Sequence, residues 1–202
     1  MLPAEGKIEV NGTVGYVSQN SWVISGTIRD NILFGMEFIP EKYQHVLYVC
    51  ALDKDIEHMS HGDLTLVGEK GLMLSGGQKA RITLARSAYR SSDIYLMDDP
   101  LSAVDTNVGR HIFDRCIHDY LGDTTRLLVT HQLQYLDKVD RIIIMKEGSI
   151  MDIGTYDELV SKGLEFSVWI GMTESESKEE EIEEEDDLVG SEIEKASCFN
   201  QG

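Results

Sequence analysis

A chain of 202 residues with 42% hydrophobic content is long enough for one substantial core and a small subdomain. Its formal net charge of −18 is uneven: residues 174–195 hold 12 acidic and 2 basic residues, a net −10, so the body is mildly acidic and lacks the clustered Lys and Arg of a nucleic-acid footprint. Three widely spaced cysteines, Cys50, Cys116 and Cys198, indicate neither a disulfide framework nor a zinc site and fit a reducing cytosol, and no apolar run approaches the roughly 18 residues that span a bilayer.

Residues 7–10 and 13–17 flank Asn11-Gly12, a two-residue turn dipeptide, and predict a short hairpin ending at Ser18-Gln19. Residues 21–34 mix apolar anchors with capping residues, as in a loop entering a short helix. Tyr43, Val46, Leu47 and Cys50 recur at helical spacing over 41–50, and 52–59 continues as a second short amphipathic helix. Residues 62–73 read as extended and turn-rich. Leu74-Ser75-Gly76-Gly77-Gln78 then opens a longer amphipathic helix.

Ile94-Tyr95-Leu96-Met97 is a continuous apolar run that suits a parallel strand covered on both faces, closed by Asp98-Asp99-Pro100. A helix from about 104 to 120 and a second buried strand over 126–130, ending at His131, follow. Residues 141–145 form a third such strand, turned by Lys146-Glu147-Gly148-Ser149 into an edge hairpin with 150–153. Short helices over 155–161 and 164–170 close the body. Strands alternating with helices predict an α/β fold with a largely parallel sheet, in which chemistry gathers beyond the carboxyl ends of the strands. The acidic stretch 174–195 has no aromatic residue and predicts a disordered tail or linker across 174–202; Ser175 and Ser177 are either modifiable or simply part of a solvated linker.

At Ser75-Gly76-Gly77 the first-turn amides of a helix lie beside residues with little or no side chain, where the helix dipole is positive, which suits a phosphate; the same residues also make an ordinary serine-capped turn. Asp98, ending an apolar strand, suits Mg²⁺ or merely terminates the strand before Pro100. Asp99 is placed to orient or deprotonate a water, with less reach than Glu, or is structural. His131 follows the next strand and can donate to a phosphate oxygen or serve the fold. Gln19, after the first strand, can meet both Mg²⁺ and a water.

In order and spacing, Gln19, Leu74-Ser75-Gly76-Gly77-Gln78, Ile94-Tyr95-Leu96-Met97-Asp98-Asp99, Leu101-Ser102-Ala103-Val104-Asp105 and Thr130-His131 resemble the Q-loop, signature motif, Walker B strand, D-loop and H-loop of the ATP-binding cassette. Residues 15–19, 28–35 and 130–136 resemble the first nucleotide-binding domain of its subfamily C, the multidrug resistance-associated proteins. The resemblance implies a P-loop-type cassette over 1–173, with a helical subdomain at about 36–90. It implies ATP and Mg²⁺ as cofactors, a second nucleotide-binding domain as head-to-tail partner, and the transmembrane domains of an exporter of organic anions or drugs at the cytosolic face of a membrane, with no nucleic acid involved. Leu74, Ser75, Gly76, Gly77, Gln78, Ser102 and Asp105 would face nucleotide, Asp98 and Gln19 the metal, and Asp99, His131 and Gln19 the chemistry. Asp99 stands where active cassettes have Glu, so this cassette's own site resembles the slow or non-hydrolysing one of subfamily C, while its full signature would complete the site on the second cassette.

The pattern G-x-x-x-x-G-K-[ST] is missing: the sole Gly-Lys pair, Gly6-Lys7, has Ile8 after it. The expectation is a fragment, truncated at its N-terminus and starting just after the P-loop helix. Two alternatives remain: a non-transport cassette ATPase of the DNA-repair or chromosome-organising kind, and a non-catalytic regulatory piece. The purified 202-residue chain is expected to show neither micromolar ATP binding by calorimetry nor steady phosphate release. Tight binding with turnover would overturn that expectation.

Overall fold

The computed structural model describes residues 6–68 and 73–163, which fall into two units divided after Thr130. The expected helix over 164–170 and the acidic tail lie outside the described residues.

In the first unit, β1 (Val14–Val17), β4 (Ile94–Asp98) and β5 (Thr125–Val129) form a parallel sheet in the order β1-β4-β5. Val17 lies beside Met97 and Met97 beside Leu128, so all three strands end at the same edge. Because the three strands run parallel, the residues after them are delivered to that common edge. A two-stranded antiparallel ladder, β2 (Gly26–Thr27) with β3 (Leu66–Val67), sits apart from this sheet in the pairing.

Local chemistry sets the helix starts. Thr27 caps α1 (Ile28–Leu33) in a reciprocal box with Asp30, Pro40 opens α2 (Pro40–Val49), and α3 (Asp53–Glu57) follows after one left-handed residue, Ala51. Ser75 and Gln78 form a second capping box at the head of α4 (Gly76–Arg90), and Asp105 caps α5 (Thr106–Ile112), which widens into π-helical turns over Phe113–Tyr120. α4 is the spine of the core: Ala80, Ile82, Thr83, Leu84, Ala85, Ser87, Ala88 and Tyr89 are buried, against α1, α2 and β1. The Tyr89 hydroxyl accepts from the Ile39 amide at 2.9 Å and donates to the Glu37 carbonyl at 2.6 Å, fixing the segment that leads into α2.

The second unit contains a 3₁₀ segment (Leu133–Lys138), the antiparallel hairpin β6 (Ile142–Lys146) with β7 (Ser149–Gly154), and α6 (Tyr156–Ser161), capped by Thr155 and Glu158. The expected edge hairpin is present, but β6 is not a buried strand: only Ile142 is buried, and Ile143 and Met145 are exposed.

Two further expectations fail. Residues 7–10 form no strand, so there is no hairpin about Asn11-Gly12. Instead the Thr13 amide and hydroxyl both donate to the Asp93 carboxylate at 2.7 Å, and a Cβ on Gly12 would stand 2.9 Å from that of Asp93. The glycine, at φ +127°, serves a close crossing, and β1 takes β4 as its partner. Nor are β4 and β5 covered on both faces. Tyr95 and Met97 are buried, whereas the opposite face, shared by Tyr16, Leu96, Leu127 and Val129, is open, with Tyr16 60% and Val129 52% exposed.

The cysteines that look unrelated in sequence include a close pair: the Cys50 and Cys116 sulfurs, both fully buried and both free thiols, lie 3.8 Å apart where α2 meets the π-helical turns. The neighbouring Cys116 thiol, followed by burial, pushes the Cys50 pKa up. A buried thiol held protonated is a poor nucleophile. Iodoacetamide is therefore expected to leave Cys50 and Cys116 unmodified in the native chain and to label both in guanidinium, as read by peptide mass mapping.

Candidate functional site

Predicted site residues gather in two places in the first unit. At the common strand edge, Gln19 lies two residues beyond β1 and is exposed, and Asp98 is the last residue of β4, half-buried beside Val129. Asp99 is buried and left-handed, at φ +42°. Its amide donates to the Val129 carbonyl at 2.9 Å, extending the ladder by one bond, and its carboxylate accepts from the Thr130 hydroxyl at 3.5 Å. Its carbonyl accepts from the amide and the hydroxyl of Ser102. A non-glycine residue in this conformation costs on the order of 1–3 kcal/mol and persists only where its surroundings hold it, which these bonds do. His131 is the first residue of the second unit and is exposed.

The second place is the mouth of α4. Ser75 Oγ accepts from the Gln78 amide at 3.2 Å, and Gln78 Oε1 accepts from the Ser75 amide at 3.0 Å. The amides of Gly76 and Gly77, in the first turn, have no acceptor one turn back in the helix. They border a cleft of about 370 Å³ whose walls are Ser75, Gly76, Gly77 and Arg81 on one side and Ala103, Val104, Asp105 and Val108 on the other. Leu74, buried just before the helix, anchors its start. Asp105 lines the cleft while its carboxylate accepts from the amides of Asn107 and Val108, both at 3.1 Å. Ser102 and Gln78 are not among the lining residues: one closes the Asp99 turn, the other faces α3.

The two glycines differ in their reason for being glycine. A Cβ on Gly77 would stand 2.8 Å from the Ala103 carbonyl oxygen, while one on Gly76 would meet the Ala103 Cβ at 4.0 Å, an ordinary contact. Gly77 therefore lets the loop after β4 close against α4, and Gly76 keeps the cleft open.

Arg81 and Asp55 were not legible as site residues. Arg81 Nε donates to the Gly77 carbonyl at 3.1 Å, and Nη1 donates to the Asp55 carboxylate at 2.6 Å and to the Ala51 carbonyl. Arg81 sits one turn beyond Gly77, a helical spacing that could have flagged it; Asp55 lies 23 residues before Gln78, and no local pattern joins them.

The far half of α4 carries a second feature. The Arg86 guanidinium lies 3.8 Å from the Trp22 ring and 5.1 Å from that of Phe34, and donates to the Asn31 carbonyl at 2.7 Å. Burial pulls its pKa down to about 10, which leaves it charged at neutral pH. Beside it, Ile24, Asp30, Leu33, Phe34, Gly35 and Met36 border a hollow of about 400 Å³.

A family model described as "ABC transporter" matches residues 2–102. Human ATP-binding cassette sub-family C member 4 is 48% identical over 179 residues, which is 89% of this chain and 14% of that protein. The probable multidrug resistance-associated protein lethal(2)03659 of Drosophila melanogaster is 52% identical over 159 residues, 79% of this chain and 12% of that protein. ABC transporter C family member 9 of Arabidopsis thaliana is 48% identical over 167 residues, 83% of this chain and 11% of that protein. The chain thus spans a small part of the curated relatives it matches.

The glycine contrast is testable by urea denaturation. Gly77→Ala is expected to destabilise the chain by about 1–3 kcal/mol, the usual range for forcing atoms into a packed contact. Gly76→Ala is expected to stay within about 0.5 kcal/mol of the parent, as an exposed substitution.

Proposed function

The chain belongs to the ABC transporter family, and on that premise we propose that it is the first nucleotide-binding domain of a subfamily C exporter, coupling ATP binding and hydrolysis to efflux of organic anions or drugs across a membrane whose cytosolic face it occupies. The observation that carries this reading is the cleft at the mouth of α4, where the first-turn residues Gly76 and Gly77, the former with room for a ligand, and Arg81 border one space. Such a mouth favours a polyanion, because unpaired amides and the helix dipole both present positive potential. None of the strand-edge residues Gln19, Asp98 and Asp99 lines the cleft, which suits a nucleotide held mainly by a second cassette in a head-to-tail pair. No helix among the described residues is long and apolar enough to cross a membrane, so the transmembrane domains would be separate elements of the transporter.

Asp98, the last residue of β4, and Gln19, two residues beyond the neighbouring β1, are oxygen donors at one sheet edge and fit Mg²⁺, which takes few protein ligands and keeps phosphate and water oxygens. When bound, Mg²⁺ would neutralise charge on the β and γ phosphates. Asp99 would act as a weakened base or water-orienting group: its carboxylate is one methylene shorter than Glu, buried, and engaged by Thr130. His131 would donate to a phosphate oxygen of ATP. Ser75, Gly76 and Gly77 would instead bind the γ-phosphate of the partner cassette's ATP, with Ser102 and Asp105 shaping the loop opposite. The Trp22-to-Phe34 segment, which holds β2 and α1, is clamped by Arg86 and borders the second hollow, and would pass closure of the pair on to membrane helices.

The test is made in the full transporter carrying this cassette. Gly76→Asp places a carboxylate at the cleft without the steric conflict a side chain meets at 77, and is expected to abolish ATP turnover while nucleotide binding persists. Asp99→Asn is expected to cost less than about threefold, because the hydrolytic site it belongs to is already slow. Equal losses from the two would overturn the asymmetric assignment.

A further inference from the structure

Resting on the phosphate-site reading of the α4 mouth, we propose that Asp55 of α3 is a positioning residue for that site, acting through the side-chain amide of Gln78 on Ser75. Both oxygens of the Asp55 carboxylate are committed to the opening turns of α4. Oδ1 accepts from Gln78 Nε2 at 2.8 Å and Oδ2 from Arg81 Nη1 at 2.6 Å. The Asp55 and Arg81 side chains are only 20% and 12% exposed, so water competes weakly for these bonds.

The bond to Gln78 settles which way its amide points. A carboxylate can only accept, so the amide must turn its nitrogen to Asp55, and its oxygen is then aimed at the Ser75 amide, from which it accepts at 3.0 Å. Were the amide reversed, its NH₂ would face the Ser75 N–H, donor against donor, and the capping box would open. Ser75, whose Oγ accepts from the Gln78 backbone N–H at 3.2 Å, would then lose the bond donated by its own N–H, the second that fixes the residue at the cleft wall. Arg81, the other partner of Asp55, carries the same constraint to the adjacent position, since its Nε donates to the Gly77 carbonyl at 3.1 Å. One carboxylate on a five-residue helix thus orients both sides of the glycine pair. A pre-set mouth matters for rate more than for ground-state affinity, because the γ-phosphate must be met in one geometry at the moment of closure.

Asp55→Asn keeps the shape and removes the charge: its own NH₂ must confront a donor on either Gln78 or Arg81. In the full transporter it is expected to lower kcat for ATP about tenfold while changing KM less than twofold. The second variant is Asp55→Asn with Gln78→Glu. There one oxygen of the new carboxylate accepts from the Ser75 amide and the other from the NH₂ of the new carboxamide, whose carbonyl serves Arg81; kcat is expected to return to within about threefold of the parent. Should the single variant fail to accumulate, a folded, active double variant supports the proposal, and failure of both overturns it. A melting temperature lowered with kcat per folded molecule unchanged, or a kcat loss that the double variant does not repair, also overturns it. Gly76→Asp run in parallel separates the two levels: if it leaves turnover intact, the phosphate-site reading fails, whereas if it abolishes turnover and Asp55→Asn keeps kcat within about twofold, only the role of Asp55 fails.

Discussion

The carbonyl oxygen of Ala103 occupies the space that a side chain at residue 77 would need, and the shape of the α4 mouth depends on that crossing. Because Gly77 admits the loop, residues 103–105 can form the wall opposite Ser75 and Gly76, and Asp105 can cap α5 from the same place. The loop begins at Asp99, whose left-handed backbone turns the chain back as soon as β4 ends and whose carbonyl is bonded by Ser102. The strand edge and the helix mouth are therefore joined by the single segment 99–105. Within that segment the Ser102 amide and hydroxyl donate to the Asp99 carbonyl and the Val104 amide to the Leu101 carbonyl, so the connection is a compact series of turns.

α4 links a third place to these two. Its first turns are tied to α3 by Asp55, its middle is the buried spine, and near its end Arg86 lies under Trp22 and Phe34 while Tyr89 bonds the segment before α2. A charged group so placed loses hydration, and the aromatic faces with the Asn31 carbonyl compensate part of that loss. One helix thus has the glycine-lined cleft at its head and an aromatic clamp beside a second hollow near its tail.

How much was legible in the sequence varied with the range of the deciding interaction. The serine cap at Ser75 and the short helix over 155–161 rest on local patterns and appear where expected, as do β4, β5 and the helix beginning near Asp105. The hairpin at Asn11-Gly12 is absent because a residue 80 positions away, Asp93, claims Thr13, and no local rule weighs a competitor that distant. An apolar strand reads the same whether one face or two are covered, so the open face carrying Tyr16 and Val129 could not be foreseen from Ile94-Tyr95-Leu96-Met97. The proximity of Cys50 to Cys116 likewise follows from how α2 meets the π-helical turns.

The α/β class, the serine cap of α4, the family and the order of its motifs could be read from the sequence, because each rests on spacing within a few residues or on motif succession along the chain. Tertiary structure alone decided which of those residues share a space: it paired Gly77 with Ala103, set Arg81 beside the cleft, and gave Asp55 its two partners on α4. The physical reason is that a hydrogen bond or a steric contact is decided by distances of a few ångströms, and chain folding brings residues from about 20 to about 80 positions apart within that distance without leaving a mark in the local sequence of either.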